Sequence, residues 1–201
     1  DLHSFPTRRS SDLHIDSLKP HLEKIGSRFA STGLSPNFWT SVGLAFAFLS
    51  ATAYGLNPQI QYAVIIGGVL LLISGFFDIV DGQVARVTKK TSKKGGFLDS
   101  VFDKIAEVAI FLGLLVGGFA EPYLVFLAIT LSLLVSYTRS RAESLGVKLQ
   151  GIGIGERAER LLVIAIIGMI GLMPYAVIIV VIIAAITFIQ RIIVTAKNIQ
   201  E

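Results

Sequence analysis

Four aspartates form two pairs whose spacing places both members of a pair on one face of a helix. Asp78 and Asp81 are three residues apart, and Asp99 and Asp103 are four apart. Side chains at these spacings are neighbours on a helix surface. Acids within apolar, membrane-crossing sequence are costly and tend to be functional. The pattern therefore predicts two neighbouring helices that each present two carboxylates at a similar depth.

Converging carboxylates need cations, because like charges at close range repel one another strongly. Oxygen ligands without histidine or cysteine favour hard cations such as Mg²⁺, Mn²⁺ or Ca²⁺, and the chain contains no cysteine. Two such ions about 4 Å apart would suit the displacement of a phosphoryl group. We therefore predict that these four aspartates bind Mg²⁺ or Mn²⁺, with two ions in the site.

The residues beside the aspartates also suit a phosphate ligand. Gly82 allows a ligand to approach the backbone next to Asp81, and the guanidinium of Arg86 can form paired hydrogen bonds with phosphate oxygens. Two other interpretations of the aspartates are open, namely structural pairing with nearby lysines and arginines, or an ion or proton pathway. Only one further acid, Glu107, falls inside a predicted span, whereas a conduction path needs relays deeper in the bilayer.

Six apolar blocks are the elements that must position these side chains. Hydrophobic residues make up 53% of the 201 residues and charged residues only 16%, whereas a soluble domain averages about 25% charged residues. A helix needs roughly 20 apolar residues to cross a bilayer. The blocks run over 38–56, 60–80, 97–119, 122–138, 161–173 and 174–190. The sequence predicts an all-α, polytopic membrane protein with six transmembrane helices.

The distribution of basic residues predicts how these helices are oriented. If the N-terminus is cytoplasmic, the outer loops lie near 55–61, 117–122 and 171–175, and these contain no lysine or arginine. An excess of basic residues in short loops marks the cytoplasmic side. We therefore expect a multi-pass protein of the cytoplasmic membrane, with both termini and the active site on the cytoplasmic side. The same rule explains the net charge of +4 without a nucleic-acid partner.

Two segments precede the first span. Residues 1–14 match neither a helical period nor a membrane anchor and are predicted to be a disordered or non-native tail. The following segment, 15–30, carries apolar residues at helical spacing with basic residues between them. It is predicted to be an amphipathic helix in the inner membrane interface, with an ordinary solvated helix as the alternative. The membrane domain is expected to cover 15–201.

The motif around the aspartates resembles the signature of the CDP-alcohol phosphatidyltransferase family. Eight specified positions over 26 residues are much more specific than a short glycine motif. The resemblance extends from about residue 18 to the C-terminus, and it implies six membrane helices after an interfacial one and a homodimer. The positions are Asp78-x2-Asp81-Gly82-x2-Ala85-Arg86-x8-Gly95-x3-Asp99-x3-Asp103.

The resemblance implies a reaction and a role for each position of the motif. A CDP-linked lipid, CDP-diacylglycerol or CDP-archaeol, would bind with its diphosphate on the metals, an alcohol would attack the phosphorus attached to the lipid, and CMP would leave. Asp103 would be the base that accepts the proton of the alcohol while also touching a metal ion. The implied CDP site comprises Asn37, Asp81, Gly82, Ala85, Arg86 and Gly95. For the segment with Asn37 the alternative is a structural role, because Ser35 followed by Pro36 is a typical helix start.

A basic stretch between the fourth and fifth spans bears on the acceptor alcohol. Several guanidinium groups that face a metal site would suit an acceptor with its own phosphate group. The segments 136–143 and 155–160 resemble the family members that use inositol phosphate, the archaetidylinositol phosphate and phosphatidylinositol phosphate synthases. Membrane anchoring and salt bridges with nearby glutamates are the alternative for these basic residues. The predicted acceptor-phosphate site comprises Arg139, Arg157 and Arg160, followed by Arg141 and Lys104.

Two other functions are weighed against transfer to inositol phosphate. The first is the same chemistry with glycerol 3-phosphate as acceptor, which would make the protein a phosphatidylglycerophosphate synthase. The second, from a different class, is a small cation transporter. Transport predicts an ion flux that persists without CDP-lipid and releases no CMP.

Overall fold

The computed structural model describes residues 10–57, 59–149 and 151–199, with side chains from Pro20 onward. Within these ranges every regular element is an α-helix, which confirms the all-α part of the predicted fold class. Of the predicted tail, residues 1–9 lie outside the described residues, whereas residues 10–14 belong to the first helix. The helices are α1 (Ser10–Ala30), α2 (Pro36–Gly55), α3 (Ala63–Val87), α4 (Lys93–Val116), α5 (Pro122–Ser144), α6 (Arg157–Met169) and α7 (Met173–Asn198).

The six apolar blocks correspond in order to α2–α7, but several helices continue well beyond their blocks. Helix α3 extends to Val87 and α5 to Ser144, so the polar ends that carry candidate site residues are helical too. Backbone hydrogen bonds form a helix whatever the polarity of its side chains. Three helices, α3, α5 and α7, are long and apolar enough to cross a membrane. The count of six spans stays a prediction.

Serine side chains begin the two helices that border the site. The hydroxyl of Ser35 accepts a hydrogen bond from the amide of Phe38 at 3.2 Å, and Pro36 lies in the first turn of α2. At the start of α4, the hydroxyl of Ser92 accepts from the amide of Gly95 at 3.0 Å. These contacts satisfy amides that have no partner within the helix. The start of α2 is therefore capped by Ser35 and does not need Asn37.

Small residues allow α2 to pack very closely against α3 and α4. The hydroxyl of Ser50 donates to the carbonyl of Gly67 at 2.7 Å, and the hydroxyl of Ser74 donates to that of Gly43 at 2.8 Å. A side chain at Gly113 of α4 would overlap the backbone of Ala51. The contacts extend along both helix pairs, so they fix the ends of α3 and α4 relative to the start of α2.

Aromatic side chains attach α1 to this group of helices. The ring of Phe29 lies edge-on to that of Trp39, with 4.9 Å between centroids. Trp39 in turn stacks on Phe77 of α3 at 5.7 Å. Edge-on and stacked rings at these distances stabilise packing beyond the area they bury. Helix α1 therefore packs on α2 and α3, while its predicted place in the membrane interface remains a prediction.

Candidate metal and phosphate site

Three of the four predicted aspartates bring their carboxylates together where α3 and α4 meet. One oxygen each from Asp78, Asp99 and Asp103 lies within 4.8 Å of the others. Asp81 is one turn further along α3. It borders a space of about 20 Å³ together with Asp78 and Asp103, which is room for about one water molecule. The paired helical spacing thus brings three carboxylates into one cluster, and the fourth, that of Asp81, borders the same small space as two of them.

The side chains of this cluster suit a divalent cation. Carboxylate oxygens are the donors that hard cations such as Mg²⁺ and Mn²⁺ prefer. Asp81 is only 6% exposed, and its Oδ2 atom has no hydrogen-bond partner. Buried polar atoms in proteins are almost always satisfied, so an unpartnered carboxylate oxygen here favours a cation as its missing partner.

Arg157, the first residue of α6, contacts the same aspartates. Its Nη1 atom lies 3.1 Å from Oδ1 of Asp78 and 2.6 Å from Oδ1 of Asp103. Its Nε atom is buried and has no hydrogen-bond partner. Among the described residues, Arg157 is the basic side chain that forms ion pairs with these aspartates. The guanidinium therefore supplies positive charge and an unused donor directly beside the cluster.

A larger cavity of about 240 Å³ borders two of the aspartates, Asp81 and Asp99. It lies between the start of α2, the end of α3 and the start of α4. All six residues predicted for the CDP site line it: Asn37, Asp81, Gly82, Ala85, Arg86 and Gly95. The cavity also reaches Asp99, so it is continuous with the aspartate cluster. Six further residues that line the cavity were not predicted for this site, because nothing in their spacing marks them: Pro36, Thr40, Lys90, Thr91, Ser92 and Gly96.

The two motif glycines help to keep this cavity open. A side chain at Gly82 would project into open space. A Cβ atom at Gly95 would lie 3.5 Å from Oδ1 of Asn37 and 3.1 Å from Oγ of Ser92. A longer side chain at either position would therefore fill part of the cavity that the motif residues surround.

Arg160 and Lys104, both predicted to bind the acceptor phosphate, instead contact the buried carboxylate of Glu107. The side chains of Arg160 and Glu107 are fully buried, and Nε of Arg160 donates to Oε1 of Glu107 at 2.9 Å. Arg160 also donates to the carbonyl of Gly155, and Nζ of Lys104 lies 3.3 Å from Oε2 of Glu107. Burial and these contacts argue against the phosphate role predicted for Arg160, because its guanidinium does not reach the site surface.

The remaining two candidates lie on α5. Arg139 forms an ion pair with Glu143 along the same helix, with 3.0 Å between Nε and Oε1. Arg141 is exposed in the last turn of α5. Of the five basic residues predicted for the acceptor, the structure thus brings Arg157 alone into contact with the aspartates.

Arg191 of α7 is a buried residue that the sequence analysis did not single out. It is 2% exposed, and it donates to the carbonyls of Val135 and Ile152 at 2.9 and 3.0 Å. Its Nη2 atom also lies 3.2 Å from Oε1 of Glu156. Because position 191 directly follows the last apolar block, the sequence alone gives no reason to distinguish Arg191 from other basic residues at a cytoplasmic helix end.

The model of the CDP-alcohol phosphatidyltransferase family matches residues 34–194. The chain is 38% identical over 183 residues to archaetidylinositol phosphate synthase of Pyrococcus horikoshii, covering 91% of this chain and 95% of that protein. It is 35% identical to the Methanothermobacter thermautotrophicus protein of the same name, with 88% and 89% covered. It is 32% identical to phosphatidylinositol phosphate synthase of Streptomyces avermitilis, with 84% and 75% covered.

Solved structures show the same fold. Phosphatidylinositol phosphate synthase of Mycobacterium tuberculosis with CDP-DAG bound has a TM-score of 0.73 and 22% identity, and the match covers 87% of this chain and 92% of that one. The structure of that enzyme with manganese and citrate also has a TM-score of 0.73, at 22% identity, with 87% and 88% covered.

Proposed function

The chain belongs to the CDP-alcohol phosphatidyltransferase family, and from that premise we propose that it transfers a phosphatidyl or archaetidyl group from a CDP-linked lipid to inositol phosphate. CMP is the second product. Relatives at 32–38% identity carry the names of inositol phosphate-using synthases, which supports this acceptor. The fold relative from M. tuberculosis is described with CDP-DAG bound, which supports the lipid donor.

One observation carries the proposal: the aspartate cluster lies between the cavity of the motif residues and the guanidinium of Arg157. Asp81 borders both the small space and the larger cavity. Arg157 contacts Asp78 and Asp103 and borders the small space, but it does not line the larger cavity. A nucleotide in the cavity and a phosphate on Arg157 would therefore approach the aspartates from two directions, as donor and acceptor of a transfer must.

The aspartates would hold Mg²⁺ or Mn²⁺, with two ions as the proposed count. Bound divalent cations supply charge neutralisation for a diphosphate and its leaving group. Asp78, Asp81 and Asp99 are the proposed ligands, with Asp103 shared between metal binding and proton transfer. A fold relative that is described with manganese and the donor set of this site support the assignment.

In the proposed reaction, Asp103 accepts the proton of the attacking hydroxyl. A new bond forms between that oxygen and the phosphorus attached to the lipid, and the bond from this phosphorus to the CMP oxygen breaks. Arg157 lies 2.6 Å from the Asp103 carboxylate, so an acceptor whose phosphate binds Arg157 would hold its hydroxyl near the base. Positioning of this kind can supply much of a rate enhancement.

We also propose that α2–α7 cross the cytoplasmic membrane six times, with α1 at the inner interface. The site is formed by the start of α2, the end of α3, the start of α4 and the start of α6, which all lie at one end of the bundle. The turns at the opposite end contain no lysine or arginine, as expected of outer loops. Both termini are then cytoplasmic, and a homodimer is proposed from family resemblance.

An acceptor screen tests the proposal. Purified protein in micelles with Mn²⁺ is supplied with CDP-diacylglycerol or CDP-archaeol and, in turn, inositol phosphate, glycerol 3-phosphate or free inositol. We expect CMP release with inositol phosphate. CMP release with glycerol 3-phosphate alone would mean that glycerol 3-phosphate is the acceptor. Cation flux into liposomes without any CMP formation would overturn the enzymatic proposal.

A further inference from the structure

The loop that leads into α6 lies directly against α7. Residues 151–156 have glycine at every second position. Gly153 has a φ of +114°, which L side chains rarely adopt, and a Cβ atom there would overlap the side chain of Thr187. A Cβ atom at Gly155 would lie 2.8 Å from the carbonyl oxygen of Ile183. The glycines thus allow the loop backbone to touch α7.

The hydroxyl of Thr187 fixes this loop through two backbone hydrogen bonds. Its Oγ1 atom accepts from the amide of Ile154 at 3.2 Å and from the amide of Gly155 at 2.9 Å. Thr187 is fully buried, so water cannot replace these contacts cheaply. The carbonyl of Gly155 accepts from Arg160. Residue 155 is therefore held from both sides, by α7 and by α6.

The position of this loop determines where Arg157 begins α6. Arg157 lies two residues after Gly155, and its guanidinium reaches Asp78 and Asp103. We infer that Thr187 is a positioning residue: it holds the loop so that Arg157 meets the phosphate of the acceptor beside the aspartates. This inference rests on the proposed function, because it assigns Arg157 to acceptor binding.

The role of Thr187 can be tested by substitution, because its hydroxyl contacts the loop whereas its apolar neighbours on α7 pack in the core. Val177, Val180 and Ala184 are buried and apolar, and they do not depend on that hydroxyl. Valine has the shape of threonine without an acceptor atom. A Thr187→Val substitution therefore removes the two loop contacts and leaves the apolar packing of α7 in place.

The experiment compares Thr187→Val, Thr187→Ser and the control Thr195→Val. The hydroxyl of Thr195 donates to the carbonyl of Arg191 within α7 and makes no loop contact among the described hydrogen bonds. In Thr187→Val we expect the KM for inositol phosphate to rise roughly tenfold, since leaving a buried amide without an acceptor is worth about that factor. The KM for CDP-lipid should stay within about twofold of wild type, and Thr187→Ser should restore the acceptor KM.

Hydrogen exchange at residues 154 and 155 provides a readout that does not depend on turnover. These amides should exchange faster in Thr187→Val than in Thr187→Ser or Thr195→Val. If Thr187→Val does not fold, Thr187→Cys, with its weak acceptor, takes its place beside Thr187→Ser. An acceptor KM that does not change, or that rises in step with the CDP-lipid KM, would overturn the positioning role.

The two proposals fail in different ways. If the wild-type protein releases no CMP with inositol phosphate, the proposed function is wrong. In that case hydrogen exchange at residues 154 and 155 still tests whether Thr187 holds the loop. Unchanged exchange in Thr187→Val would then overturn the role of Thr187 as well. If wild type is active and Thr187→Val has the acceptor KM and the hydrogen exchange of wild type, the proposed function stands and the positioning role does not.

Discussion

At the scale of single residues, Asp81 differs from the other three aspartates in its surroundings. It is buried and has a carboxylate oxygen without a hydrogen-bond partner. Asp78 and Asp103 share the guanidinium of Arg157. A buried charge without a partner is costly, so Asp81 has the strongest need for a cation. Metal binding should therefore respond most clearly to this residue.

Substitution of Asp81 by asparagine should separate metal binding from folding. We expect the affinity for Mn²⁺ to fall by at least about tenfold, roughly 1.4 kcal/mol, as measured by titration with electron paramagnetic resonance. Without metal, the variant should unfold at the same or a higher temperature than wild type, because a buried charge has been removed. The control Glu121→Gln changes an exposed carboxylate at the start of α5. Unchanged Mn²⁺ affinity in Asp81→Asn would contradict the metal assignment.

Asparagine at Asp103 tests the proton transfer. Loss of the base should reduce the turnover number by about 10²- to 10⁴-fold, the usual contribution of general base catalysis. Binding of CDP-lipid should stay close to wild type, because Asp103 does not line the larger cavity. CMP release and equilibrium binding of CDP-lipid measure the two effects separately. Turnover that survives the substitution would remove Asp103 from the role of base.

At the scale of helices, α4 and α6 are joined by two ion pairs one turn apart. Asp103 and Glu107 lie on one face of α4, and Arg157 and Arg160 lie on one face of α6. The first pair borders the site, whereas the second is fully buried. The buried pair therefore fixes the position of α6 relative to α4, and with it the approach of Arg157 to the aspartates.

Substitution of Glu107 by glutamine should destabilise the protein because it leaves Arg160 charged and buried without its carboxylate. Breaking such a pair costs about 3–5 kcal/mol. A clear loss of thermal stability in detergent is therefore expected. Glu159→Gln, at an exposed position of α6, is the matched control and should unfold like wild type. Equal stability of both variants would mean that the buried pair does not hold the two helices.

Much of this arrangement follows from the sequence, and the remainder depends on which helices are neighbours. The spacing of Asp78 with Asp81 and of Asp99 with Asp103 was enough to predict the shared faces. The burial of Arg160 could not be predicted, because an arginine at the start of an apolar block suits a phosphate and a buried glutamate equally well. Its partner on α4 is set by packing between helices, which spacing along one chain does not reveal.

At the scale of the whole molecule, every candidate site residue lies at one end of the bundle. The lengths of α3, α5 and α7 suit a membrane, and the turns at the opposite end lack basic residues. This asymmetry supports a cytoplasmic site, where a soluble phosphate acceptor such as inositol phosphate would be available to it. The orientation of the helices in the membrane is thus part of the functional proposal, because it determines which acceptors can reach the site.

Because the chain contains no cysteine, single cysteines can report the orientation directly. Lys93 lies at the start of α4 beside the site, and Gln61 lies in the turn before α3; both are exposed. A membrane-impermeant maleimide applied to intact cells should label Gln61→Cys and should label Lys93→Cys only after permeabilisation. The basic residues at the site end oppose transfer of that end across the membrane. The reverse labelling pattern would place the site outside the cell and contradict the proposed orientation.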